Sequence, residues 1–124
     1  MDVKKKKILI IDDDSRNIFA LKAVLTAKKY TCLVATSAQE GFNIIQKNDD
    51  VGVVLLDMMM PEMDGYEALA KIEKEPALKK IPVIAVTAQA MTGDRERCLQ
   101  AGANGYISKP VNVEDLVKLL EDYL

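Results

Sequence analysis

Three short apolar runs with no polar interruption most constrain the fold: Ile8 to Ile11, Val53 to Leu56 and Ile81 to Val86. Runs of that length are too short for buried helices and suit strands covered on both faces, the setting of a parallel sheet. The first is followed by apolar residues at helical spacing, Ile18, Leu21, Val24 and Leu25, in a pattern that continues to Lys29. Thr31 to Thr36 is β-rich but more polar, and Ser37 with Glu40 forms a capping box that opens a second helix through Phe42, Ile44 and Ile45. After the central run, a turn carrying Pro61 and Gly65 includes Asp64, which can cap a helix with Tyr66, Leu69 and Ile72, closed around Pro76. A fourth helix is expected from about Met91 to Ala101, stopped by Gly102, and Tyr106 to Ser108 reads as a short fifth strand. Asn112 caps a last helix carrying Val113, Leu116, Leu119, Leu120 and Tyr123.

Five strands alternating with five helices through short connections imply one parallel sheet covered on both sides. The polar mixing of the second strand and the shortness of the fifth place both at edges, giving the order 2-1-3-4-5, that of flavodoxin-like sheets. The expected fold class is therefore α/β, a single (βα)5 doubly wound domain over residues 1–124. A chain of 124 residues, 49% hydrophobic and 29% charged, can bury one such core and has no room for a second domain. A net charge of −2 with intermixed signs gives no reason to expect nucleic acid or an anionic membrane as partner, and Lys4 to Lys7 reads as a solvated edge. No apolar stretch approaches the roughly 20 residues that span a bilayer, so a cytoplasmic location is expected. Cys32 and Cys98 have no CxxC spacing and read as apolar filler. The chain contains no histidine, which removes imidazole zinc sites and the serine and cysteine triads.

The strand ends carry the chemistry. Two apolar runs stop on carboxylates, the first on Asp12-Asp13-Asp14 and the central one on Asp57. In the order 2-1-3-4-5 those ends are neighbours, about 4.8 Å apart, at the edge of the sheet where ligands of open α/β folds bind. Like charges so close require a cation or a retained proton. Hard oxygen ligands without His or thiolate favour Mg²⁺. Asp14 is assigned to capping the first helix. The fourth strand ends on Thr87-Ala88 and the fifth on Ser108-Lys109-Pro110, which brings a hydroxyl and an ammonium to the same edge. Acids for a metal, one acid as nucleophile, and a cation and a hydroxyl for transferred oxygens form a set suited to phosphoryl transfer.

With these motifs together, the chain resembles a receiver domain, the phosphoacceptor module of two-component response regulators and hybrid histidine kinases. The resemblance covers essentially the whole chain and rests on Ile10 to Asp14, Leu55 to Gly65, Val86-Thr87-Ala88 and Tyr106 to Pro110. The stretches Asp12 to Asn17 and Thr87 to Glu96 look most like receivers of hybrid kinases. It implies that Asp57 is phosphorylated and that Asp12, Asp13, Asp57 and the backbone carbonyl of Met59 hold Mg²⁺. It implies that Lys109 and Thr87 engage the phosphoryl group, that Tyr106 reports activation, and that Lys109-Pro110 is cis. The donor would be a histidine kinase or a histidine phosphotransfer protein. The output would be a changed surface, formed by the helix from Met91, the fifth strand and the last helix, for a downstream protein. The domain would be a signalling phosphoacceptor that assists its own phosphorylation and dephosphorylation rather than an enzyme. It is expected to be a monomer, with dimerisation on phosphorylation as the alternative. Met1 inclines toward a stand-alone regulator over a receiver cut from a larger protein.

Two other functions fit the residues less well. An aspartyl-phosphate hydrolase calls for Asp-x-Asp, and Met59 occupies the second position. A flavodoxin-like nucleotide binder calls for a Gly-rich phosphate loop, which follows no strand here, and for aromatics to stack a ring, of which the chain is short.

Overall fold

A computed structural model describes residues 6–61, 63–88 and 93–124. The elements run β1 (Lys7–Ile11), α1 (Ser15–Ala27), β2 (Cys32–Ala35), α2 (Ala38–Lys47), β3 (Val51–Asp57), α3 (Gly65–Lys74), α4 (Pro76–Lys79), β4 (Val83–Thr87), α5 (Asp94–Gln100), β5 (Gly105–Ser108) and α6 (Val113–Tyr123). The strands form one parallel sheet in the expected order β2-β1-β3-β4-β5. Alternation along each strand divides the core in two, because successive side chains leave opposite faces. Leu9, Ile11, Val54, Leu56, Val83 and Ala85 pack on the side of α2, α3 and α5. Ile8, Ile10, Val53, Leu55, Ile84, Val86 and Ile107 pack against Ile18, Leu21 and Leu25 of α1 and Leu116 and Leu120 of α6.

Helix starts follow the expected caps. Asp14 accepts from the Arg16 amide, Asn112 from the Asp115 amide, and Asp64 forms a reciprocal box with Glu67. The box at α2 is different. Ser37 accepts from the Glu40 amide, but the Glu40 carboxylate takes the amide and hydroxyl of Thr36 instead of the Ser37 amide. Two donors on Thr36 outcompete one on Ser37. Two boundaries also depart from the expectation. Helix α1 stops at Ala27, and Lys29 takes a left-handed conformation (φ 74°) that lets the Tyr30 and Lys29 amides bond to Leu25 and Thr26. Pro76 begins a separate short helix, since its fixed φ suits a first helical turn. The helix expected from Met91 is described from Asp94 onward, and Met91 itself lies outside the described residues. Gly102 (φ 119°) follows it as expected.

Candidate functional site: an acidic pocket at the sheet edge

Register determines which side chains meet. Ile11 pairs with Leu56 and Asp57 with Val86, so Asp12 and Asp57 emerge side by side at the C-terminal edge. The Asp12 amide is bonded to the Ala35 carbonyl, the Met58 amide to that of Val86 and the Lys109 amide to that of Thr87, which ties each strand end to its neighbour. Carboxylate oxygens of Asp12, Asp13 and Asp57 lie within 4.8 Å of one another. Asp12 and Asp57 are buried and Asp13 is exposed, so the pocket has a dry floor and a wet rim.

Each buried acid is held from below. Asp12 accepts from the Asp14 amide through Oδ1 (2.9 Å) and from Asn17 Nδ2 through Oδ2 (2.7 Å). Asp57 Oδ1 accepts from the Met59 amide at 3.1 Å. Lys109 reaches both, with Nζ 3.5 Å from Asp12 Oδ2 and 3.6 Å from Asp57 Oδ1. The Lys109-Pro110 bond is cis, as the resemblance implied. Burial pushes the Asp57 carboxyl up to about 6; the Met59 amide and Lys109 pull it down, and the Asp12 charge pushes it up. One ammonium for three carboxylates leaves a site whose ionised form lacks positive charge. The donors are hard, acidic oxygens with an open rim, a set that fits Mg²⁺ with retained waters.

Thr87, Tyr106 and Met59 complete the expected set. Thr87 is buried at the end of β4, beside the Asp57 strand. Tyr106 pairs in register with Ala85, packs on the α2, α3 and α5 side, and donates its phenol to Asp94 Oδ2 at 3.0 Å. Met59 is exposed and borders an open cleft with Met58, Met60, Pro61, Asp64, Tyr66 and Arg97. Cys98 is fully buried, as filler should be, whereas Cys32 is only half-buried.

The sequence reading missed two groups. Asn17, one turn into α1, carries the shortest side-chain bond to the pocket. Tyr66, Asp94 and Cys98 form a partly buried polar cluster with Tyr106, although Tyr66 read only as a residue on the face of its helix and Asp94 only as part of the stretch Thr87 to Glu96. A tyrosine on an inward helix face, whose phenol needs a partner, is the signal that could have pointed to it.

A family model for the response regulator receiver domain matches residues 8–121. The chain belongs to that family. Over 119 residues it is 33% identical to the polar-differentiation response regulator DivK of Brucella ovis, with 96% of each chain covered. It is 30% identical, with a TM-score of 0.85, to the receiver domain of the sensor histidine kinase PA1611 of Pseudomonas aeruginosa, covering 97% of this chain and 98% of the other. That structure has a magnesium ion coordinated in its active site cleft. The receiver domain of the Saccharomyces cerevisiae response regulator Ssk1, solved with the histidine phosphotransfer protein Ypd1, is 26% identical with a TM-score of 0.83, covering 99% and 91%. This chain is thus a receiver domain of two-component signalling with an acidic pocket. Receiver domains are signalling phosphoacceptors, not enzymes of the ordinary kind. Among the described residues, no helix is long and apolar enough to cross a membrane.

Proposed function

We propose that Asp57 accepts a phosphoryl group from a phosphohistidine on a partner, a histidine kinase or a histidine phosphotransfer protein. One observation carries the reading: three carboxylates and the Lys109 ammonium converge at the end of the sheet, with Asp57 held on the floor by a single backbone amide. In the transfer, an Asp57 carboxylate oxygen bonds to phosphorus as the phosphorus–nitrogen bond breaks and the donor imidazole leaves. Lys109 pairs with the incoming oxygens, and the Thr87 hydroxyl at the adjacent strand end donates to one of them. Asp12, Asp13, Asp57 and the Met59 backbone carbonyl would hold Mg²⁺. When bound, that ion supplies the positive charge that neutralises the phosphoryl oxygens. Asn17 and the Asp14 amide keep Asp12 aimed at the site.

The output is a shift in a pre-existing equilibrium, with Thr87 drawn toward the new anion and Tyr106 moving in response. The surface built by α5, β5 and α6 then presents a different face to a downstream protein. The domain also assists its own dephosphorylation, with Met59 on the path of the attacking water. A cytoplasmic, monomeric chain suits this role. Intact-mass measurement after treatment with acetyl phosphate tests the proposal. Wild type should gain one phosphoryl group only with Mg²⁺ present, and Asp57→Ala should gain none. Equal yield in the two chains would sink it.

A further inference from the structure

Asp94 is the first residue of α5, where an acid ordinarily faces solvent, yet it is 3% exposed. Its two oxygens are shared between two phenols from different elements. Tyr66 of α3 donates to Oδ1 at 3.2 Å and Tyr106 of β5 to Oδ2 at 3.0 Å. The Tyr66 hydroxyl also lies 3.6 Å from Cys98 Sγ, and the Arg97 guanidinium sits 4.9 Å from the Tyr66 ring centre. Burial raises both phenols above their ordinary range, and Asp94 raises them further. Both therefore remain donors at neutral pH.

Tyr66 is joined in turn to the pocket. It follows Gly65, whose amide bonds to the Met58 carbonyl at 3.1 Å, and Met58 adjoins Asp57. A Cβ at residue 65 would lie 2.7 Å from the Met58 Cα and against its sulfur, so the start of α3 is seated directly on the residue after Asp57. A displacement there moves Tyr66, and the shared carboxylate transmits it to Tyr106.

We propose that Asp94 is a positioning residue that holds Tyr106 and couples it to the Asp57 loop through Tyr66, a route separate from Thr87. The inference rests on the phosphoacceptor reading for its consequence, but its structural half is decided in the resting chain. The test compares ring NMR signals of Tyr106 in wild type, Asp94→Asn, Asp94→Ala and Tyr66→Phe, before and after acetyl phosphate with Mg²⁺. In the resting chain, Asp94→Ala should shift the Tyr106 signals and lower its phenol titration, with Asp94→Asn intermediate because one acceptor oxygen remains. After phosphorylation, Tyr66→Phe should keep the wild-type yield of adduct while the Tyr106 response falls below about half. Tyr66→Phe and Asp94→Asn combined should lose no more than the larger single loss, since both interrupt one route. Resting Tyr106 signals identical in Asp94→Ala and wild type would overturn the inference, as would a full Tyr106 response in Tyr66→Phe. Should wild type take no phosphoryl group, the proposed function fails, and the resting signals still decide whether Asp94 holds the ring.

Discussion

The two halves of the sheet edge are built on different plans. At the ends of β1 and β3, buried carboxylates crowd together with one ammonium that reaches in from the end of β5, and Asp12 and Asp57 each accept from residues two to five positions away. Where α5 meets α3 and β5, two neutral phenols share one acid, with the Cys98 thiol beside one of them, and the bonds cross between helices and strands. The first half holds unbalanced negative charge that a cation can relieve. In the second, one carboxylate serves two donors, so a change at either donor reaches the other. On the proposed reading the first half captures and the second responds, and the two are joined where α3 is seated on the Asp57 loop and where β4 lies beside β3.

The largest expected break is electrostatic. Asp57 is pushed up to about 6 from an ordinary 3.8, so between about pH 4 and pH 6 the folded chain retains a proton that the unfolded chain has released. The contribution of this group to the stability of the metal-free protein is therefore full below pH 4 and lost as pH rises through 6. Replacing Asp57 with Asn removes that loss. In urea titrations with chelator, the stability of Asp57→Asn relative to wild type should grow by about 2 kcal/mol between pH 4 and pH 7. A constant difference would mean that Asp57 is not strained by its charge.

Next comes the metal. Asp13 is the exposed member of the cluster, so Asp13→Asn removes an anion without opening a core cavity. Mg²⁺ affinity and phosphorylation rate should fall together by about tenfold or more, a loss of about 1.4 kcal/mol. Wild-type affinity in this variant, read by calorimetry, would refute the assignment. Thr87→Ala sharpens the comparison from the other side. It should form the Asp57 adduct in near wild-type yield while the Tyr106 response drops, and chemical-shift changes equal to wild type would show the hydroxyl to be idle. The smallest effect concerns Met59, which is a weak acceptor and no donor. On the proposed reading, its exposed position on the rim would let it crowd an approaching water without orienting it. Met59→Asn should shorten the lifetime of the adduct severalfold, with Mg²⁺ affinity almost unchanged. An unchanged or longer lifetime, measured after removal of the donor, would clear Met59 of that role. Gln89, which could partly compensate through its amide, lies outside the described residues.

How much of this was legible in the sequence follows the same division. Asp12, Asp13, Asp57 and Lys109 stand at the ends of strands whose order could be argued from edge character alone, and parallel register then makes them neighbours. Strand periodicity and topology thus suffice for the capture half. Tyr66 and Asp94 are 28 residues apart, and Asp94 and Tyr106 are 12 apart. Their meeting depends on how α3 and α5 pack against β5, which no local pattern encodes. Periodicity placed Tyr66 correctly on the inner face of α3 but said nothing of what its hydroxyl would find. The same limit explains Glu40, whose spacing from Ser37 was right and whose partner was not, because the amide and hydroxyl of Thr36 together offer its carboxylate two donors.

The separation of capture from response is tested most directly by amide hydrogen exchange on wild type, with and without acetyl phosphate, in Mg²⁺ buffer. With the Asp57 adduct formed, the change in protection should concentrate in the β3–α3 turn, the end of β4, α5 and β5, while α1 and α2 exchange as before. A fully phosphorylated chain whose protection changes only around β1 and α1, or nowhere beyond the pocket, would contradict it.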